Sequence, residues 1–217
     1  DLSPKPKLFR KRQKEIRYSV DSWKENFFIH TNLDAEDFKI CICKHGDINN
    51  WQDYIPATKG VLIGGFDLLN EWMVRSELRD ALIKLYVKNL KTNKEEDLVI
   101  TDEKVITPGA SLMQKDRNTN KMYIAYNSPK TPGKSYIYDI VTKEKKLVKE
   151  EIVPSGHQSN DYIVERLNCD SHDGRKIPLT ITRHKKTKLD GSANLLLYAY
   201  GSYGSTMGPG FSSSRLS

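Results

Sequence analysis

The chain is poor in cysteine, in histidine and in long apolar runs, and each shortage closes a class of function. Three cysteines in 217 residues are too few, and odd in number, for a disulfide scaffold, and they fit a reducing compartment. No apolar stretch approaches the roughly 20 residues that a membrane helix needs, so no membrane partner is expected. No signal-peptide pattern precedes the body. The first residue is Asp1 rather than Met, so translation is expected to begin elsewhere. A Gly-x-Ser-x-Gly elbow is missing, and no histidine follows His184. No Gly-Lys-Ser/Thr follows Gly201 or Gly204, so a phosphate-binding loop is not supported there. Cys41 and Cys43 stand two apart in a strand-like run with no second ligand pair at zinc spacing. They read as packing residues, and no metal or cofactor is expected.

What is present is charge and alternation. Hydrophobic residues make up 37% of the chain and charged residues 29%, with a net charge of +7. Much of that charge lies in residues 1–17, where Lys5, Lys7, Arg10, Lys11, Arg12, Lys14 and Arg17 face only Asp1 and Glu15. Such a cluster suits nucleic acid or a solvated surface. No aromatic interleaving builds a stacking platform, so the solvated reading is preferred and no nucleic-acid partner is expected.

From residue 18 the apolar residues follow strand periodicity. Trp23–Thr31 is followed by Phe38–Lys44. Glu71–Glu77 is followed by Leu82–Asn89. Lys121–Tyr126 is followed by Ser135–Val141. The second strand of each pair ends in a polar turn, at Lys44–Asp47, Asn89–Lys94 and Asp139–Glu144. A short strand then follows, at Trp51–Ile55, Asp97–Ile100 and Lys146–Lys149. The unit recurs every 45–50 residues or so, the size of a four-stranded propeller blade. About three blades fit before residue 155. A single antiparallel meander is the alternative.

Pro154–Asn160 is a turn-rich break. Beyond it, Tyr162–Leu167 and Ile177–Arg183 flank a hairpin turn at Asp173-Gly174-Arg175-Lys176. Lys188–Gly191 is a polar loop. Leu195–Tyr198 reads as a short buried strand that opens into Tyr200-Gly201-Ser202-Tyr203-Gly204. His172 beside Asp173 reads as a solvated turn rather than an acid–base pair. The expected fold is therefore mostly β, a partial β-propeller over residues 1–158 followed by the first strands of an α/β-hydrolase domain over 159–217.

Several motifs carry a family likeness along essentially the whole chain. Arg17-Tyr18-Ser19-Val20-Asp21, Asp173-Gly174-Arg175-Lys176-Ile177-Pro178, Tyr200-Gly201-Ser202-Tyr203-Gly204 and Phe211-x-x-x-Arg215-Leu216-Ser217 resemble oligopeptidase B (protease II) of the prolyl oligopeptidase family. Lys188-Leu189-Asp190-Gly191 is similar to the proline-specific branch. The resemblance implies a cytoplasmic serine endopeptidase, with a propeller capping an α/β-hydrolase domain and short peptides cleaved after Lys or Arg. It implies that Tyr200 donates its hydroxyl to the oxyanion and that Tyr203 borders the substrate pocket. Ala199 stands where the family usually has glycine. The Ser-Asp-His triad has no counterpart in these residues, so the chain by itself is expected to be inactive. Two alternatives stay open beside this reading: a proline-specific oligopeptidase, and an inactive remnant or propeller-type interaction surface.

Overall fold

The computed structural model describes residues 5–216. Alternating apolar residues and tight turns produce three four-stranded antiparallel sheets, each with its strands in chain order. The first holds β1 (Tyr18–Trp23), β2 (Asn26–Thr31), β3 (Lys39–Lys44) and β4 (Gln52–Ile55). The second holds β5 (Leu62–Leu69), β6 (Trp72–Arg79), β7 (Leu82–Asn89) and β8 (Glu95–Asp97). The third holds β9 (Thr107–Leu112), β10 (Lys121–Asn127), β11 (Lys134–Asp139) and β12 (Lys145–Glu150). Repetition of one consecutive meander is the blade pattern of a partial propeller. Each sheet gains a leading strand, β1, β5 or β9, that the paired pattern does not reveal. The expected Asp97–Ile100 strand lies earlier, at β8, although Leu98 N still donates to Leu85 O at 2.8 Å.

Turn chemistry accounts for the repeat. In the second sheet Asn89 Oδ1 accepts from Lys91 N at 3.0 Å and Thr92 N at 2.9 Å, and Asn93 takes φ 59°. In the third sheet Asp139 Oδ1 accepts from Val141 N at 2.9 Å and Thr142 N at 3.1 Å, and Lys143 takes φ 63°. A short side-chain acceptor thus builds the same Asx-type turn in both. Between β6 and β7, Asp80 and Ala81 take φ 47° and 58°, the backbone of a two-residue type I′ hairpin.

The chain divides into two compact units, Asp1–Gly65 and Phe66–Ser217, the division falling within β5. In the first, Ile29, Cys41 and Cys43 form a core flanked by Phe9, Tyr18, Phe27 and Trp51. Ile40 is as deeply buried as Cys41, so β3 buries residues of both faces. Phe9 meets Phe27 edge-on at 5.0 Å, and the Arg10 guanidinium lies 4.2 Å over the Trp51 ring. The basic segment is therefore pinned at residues 9–10, while Lys11, Arg12 and Lys14 are exposed.

In the second unit the two sheets pack face to face. Leu69, Val74, Leu85, Val87, Leu98 and Ile100 meet Met122, Ile124, Tyr126, Tyr138 and Ile140 in one core. Asn70 joins them at the rim, its Nδ2 donating to Asn120 Oδ1 at 2.7 Å and its N to Arg117 O at 2.6 Å. After a 3-10 turn at Ser159–Asp161, β13 (Tyr162–Asp170) and β14 (Lys176–His184) form a separate hairpin. Its turn closes through Gly174 N to Ser171 O at 2.9 Å, and Gly174 takes φ 79°. A single helical turn, α1 (Ser213–Leu216), ends the described chain.

One expected strand is not formed. Leu195–Tyr198 has no strand assignment, and Leu195, Leu196 and Leu197 are 84%, 73% and 78% exposed. A buried strand needs neighbours on both edges for its N–H and C=O groups. Among the described residues no strand runs beside it.

Candidate functional site

Residues 198–211 form a loop fastened at its two ends. At the first end the Arg215 guanidinium lies 4.3 Å over the Tyr198 ring. At the second, Pro209 is buried, and Phe211 N donates to Asn127 Oδ1 on β10 at 3.0 Å. Gly208 lies against Thr107 on β9, where an added Cβ would make ordinary contact with Thr107 Oγ1 at 3.6 Å. Thr107 pairs with Asn127 across β9 and β10, so both tail contacts fall on one rung of the third sheet.

Between these fastenings lie the two tyrosines singled out in the sequence. Tyr200 is half-exposed at 50%, and Tyr203 is 98% exposed. Ser202–Gly204 forms a 3-10 turn closed by Ser205 N to Ser202 O at 3.1 Å. Tyr203 sits in left-handed backbone at φ 57°, followed by Gly204 at φ 68°. Consecutive left-handed residues turn the chain sharply and present the Tyr203 ring outward.

An aromatic cluster missed in the sequence supports the second fastening. His157 Nε2 donates to Lys130 O at 2.6 Å. The His157 ring stacks on Tyr162 at 5.1 Å and meets Phe211 edge-on at 5.1 Å. Tyr162 meets His184 edge-on at 5.5 Å, and its hydroxyl donates to Leu216 O at 3.0 Å. The break at Pro154–Asn160, the hairpin and the tail thus converge on one patch. The histidines are separated in sequence and lie in no motif, so only the fold brings them together. His30 belongs elsewhere: its Nε2 donates to Ile63 O at 2.8 Å, and burial, partly offset by that bond, lowers its pKa. His172 Nδ1 stands 3.5 Å from Ser171 Oγ within its own turn.

Two further polar clusters stand on the sheets. Arg75 on β6 is buried, and its guanidinium donates to Glu77 Oε1 at 2.8 Å and to Glu95 Oε2 at 2.5 Å. Arg79 reaches the second oxygen of Glu77 at 2.8 Å, and Tyr86 lies 4.6 Å under Arg75. On the first sheet Lys39 Nζ stands 2.8 Å from Asp53 Oδ1, and the Cys41 thiol donates to the same oxygen at 3.5 Å. Burial pushes the Cys41 thiol up to about 11, opposite to the shift a nucleophilic thiolate needs. Among the described residues no group of three or more His, Cys, Asp and Glu is placed to hold a metal ion. No helix there is long and apolar enough to cross a membrane.

Residues 2–151 match the family model for the prolyl oligopeptidase N-terminal β-propeller domain. This chain belongs to the prolyl oligopeptidase family. It is 32% identical over 210 residues to dipeptidyl aminopeptidase BI of Pseudoxanthomonas mexicana, covering 95% of the chain and 28% of that protein. It is 26% identical over 215 residues to protease 2 of Moraxella lacunata, covering 99% of the chain and 30% of that protein. Among solved structures, oligopeptidase B from Trypanosoma brucei with covalently bound antipain superposes with a TM-score of 0.85 at 28% identity, over 96% of this chain and 31% of that one. The chain therefore spans less than a third of the length of these prolyl oligopeptidase relatives.

Proposed function

We propose that these residues are the propeller section and the beginning of the α/β-hydrolase domain of an oligopeptidase B-like serine endopeptidase. The proposed substrates are short peptides cleaved after Lys or Arg in the cytoplasm. In this reading residues 1–158 belong to the propeller and 159–217 to the hydrolase domain. Tyr200 donates its hydroxyl to the oxyanion, and Tyr203 forms a wall of the pocket for the residue before the scissile bond. The observation that carries the reading is that the Tyr-Gly loop ends in a bond from Phe211 to Asn127 on the last of three blade sheets, in a chain 96% of which superposes on part of an oligopeptidase B. A preorganised phenol aimed at developing negative charge stabilises the transition state more than the ground state.

The name of the Pseudoxanthomonas mexicana relative favours a second reading, release of dipeptides from a free amino terminus. The two are separated in a protein that carries these residues together with a Ser-Asp-His set. Three fluorogenic amides suffice: Nα-blocked Arg, Nα-blocked Pro, and a dipeptide with a free amine. The blocked Arg amide is expected to turn over fastest. Preference for the free dipeptide would establish the second reading, and preference for Pro would reject both. In the same protein Tyr200→Phe is expected to lower kcat by about two orders of magnitude with KM little changed. An unchanged kcat removes Tyr200 from the mechanism. The 217 residues alone are expected to hydrolyse none of the three.

A further inference from the structure

Resting on the reading of residues 198–204 as the oxyanion loop, we infer that Asn127 is a positioning residue for that loop, so that the propeller itself sets where Tyr200 stands. Asn127 closes β10, the second strand of the third sheet, and its side-chain carbonyl leaves the sheet to accept from Phe211 N at 3.0 Å. The tail is shaped for that approach. A Cβ on Gly210 would stand 3.4 Å from Asn127 Oδ1, in contact with the same oxygen, so the branched side chain of a valine there would press on it. Pro209 beside it is buried.

The alignment is held from the other side too. Phe211 rests edge-on against His157, and His157 is fixed by its bond to Lys130 O in the turn that follows β10. A residue's width of displacement at Asn127 would therefore move Phe211 and, through Arg215 on Tyr198, both ends of the loop. Tyr200 and Tyr203 themselves are exposed and contribute little to holding it. The chemistry required at position 127 is an acceptor. Aspartate supplies it; alanine and leucine do not.

The test is amide hydrogen exchange of the full 217-residue chain and its Asn127→Ala, Asn127→Leu and Asn127→Asp variants. The Phe211 amide and the 199–210 segment are expected to exchange about fivefold to tenfold faster in Asn127→Ala and Asn127→Leu, the effect of one lost neutral hydrogen bond. Asn127→Asp is expected to restore protection, a rescue that mere loss of sheet packing would not give. The Met122–Tyr138 amides report whether the sheet itself survives. Where it does not, Gly210→Val tests the contact from the tail side and leaves β10 intact. Unchanged loop exchange over an intact sheet in both Asn127→Ala and Gly210→Val overturns the inference. If instead the loop loosens while kcat of the triad-bearing protein is unaffected, the positioning role stands and the oxyanion role of Tyr200 falls.

Discussion

At the scale of the residue, the Arg75 network shows how far alternation can mislead. Period-2 reading sends the charged positions of Trp72–Arg79 to water, yet Arg75 and Glu77 are only 4% and 3% exposed. A strand inside a stacked blade has no free face, and its charges survive by pairing. Burial pulls the Glu95 carboxyl up, but hydrogen bonds and charge from Arg75 outweigh it and hold the carboxyl below its ordinary value. A depressed carboxyl stabilises the fold at neutral pH and loses that contribution as pH falls through its folded-state value. Arg75→Met is expected to cost about 3 kcal/mol at pH 7, because it removes the buried guanidinium that Glu77 and Glu95 share and leaves Glu77 with Arg79 alone of its two arginine partners. It should also flatten the acid limb of stability attributable to Glu95. Urea midpoints at pH 7 and in acid check both, and Arg75→Met with Glu77→Leu should cost less than Arg75→Met alone.

At the scale of the element, alternating strands free of glycine and proline were legible and the leading strands were not. Leu82–Asn89 is found at its expected bounds, and the hairpin turn at Gly174 is where Asp-Gly places it. β5 contains Gly64-Gly65 and β9 contains Pro108-Gly109, residues that read as turns because they weaken a strand by themselves. Pairing of β5 with β6 and of β9 with β10, together with the face-to-face core, supplies what their local sequence lacks. Pro108 is tolerated because β9 ends its sheet, as proline requires. Gly109 has open space around a built Cβ and no positive φ, so Gly109→Ala is expected to raise stability by roughly 0.5–1 kcal/mol in urea denaturation. The opposite failure is Leu195–Tyr198, whose apolar composition reads as a strand although strand character comes from neighbours. In the same way, Tyr200 and Tyr203 could be named from their motif, whereas Asn127 and His157 lie in none and become visible only through the fold.

At the scale of the whole molecule, three exposed leucines in succession are the largest departure from an ordinary soluble surface. Consecutive exposed apolar residues outside any strand form a hydrophobic patch. The chain is expected to self-associate with rising concentration in sedimentation velocity. Replacing Leu195 and Leu197 with Ser is expected to shift it toward monomer without lowering the melting temperature, since neither side chain is buried. Association that persists unchanged in that variant would place the sticky surface elsewhere.

The hydrogen bond from Phe211 to Asn127 joins residues 84 apart in the chain, and that separation governs when it can form. Closing so long a loop is entropically costly until the intervening strands have folded. The third sheet, complete by Glu150, leaves the ribosome well before Phe211 does. It can therefore be a finished template when residues 198–211 arrive, and the Tyr200 loop should order after the third sheet. A kinetic measurement would see the sheet amides protected first and those of 199–211 in a later phase, so that a fault anywhere in the third sheet delays the loop without touching a residue in it.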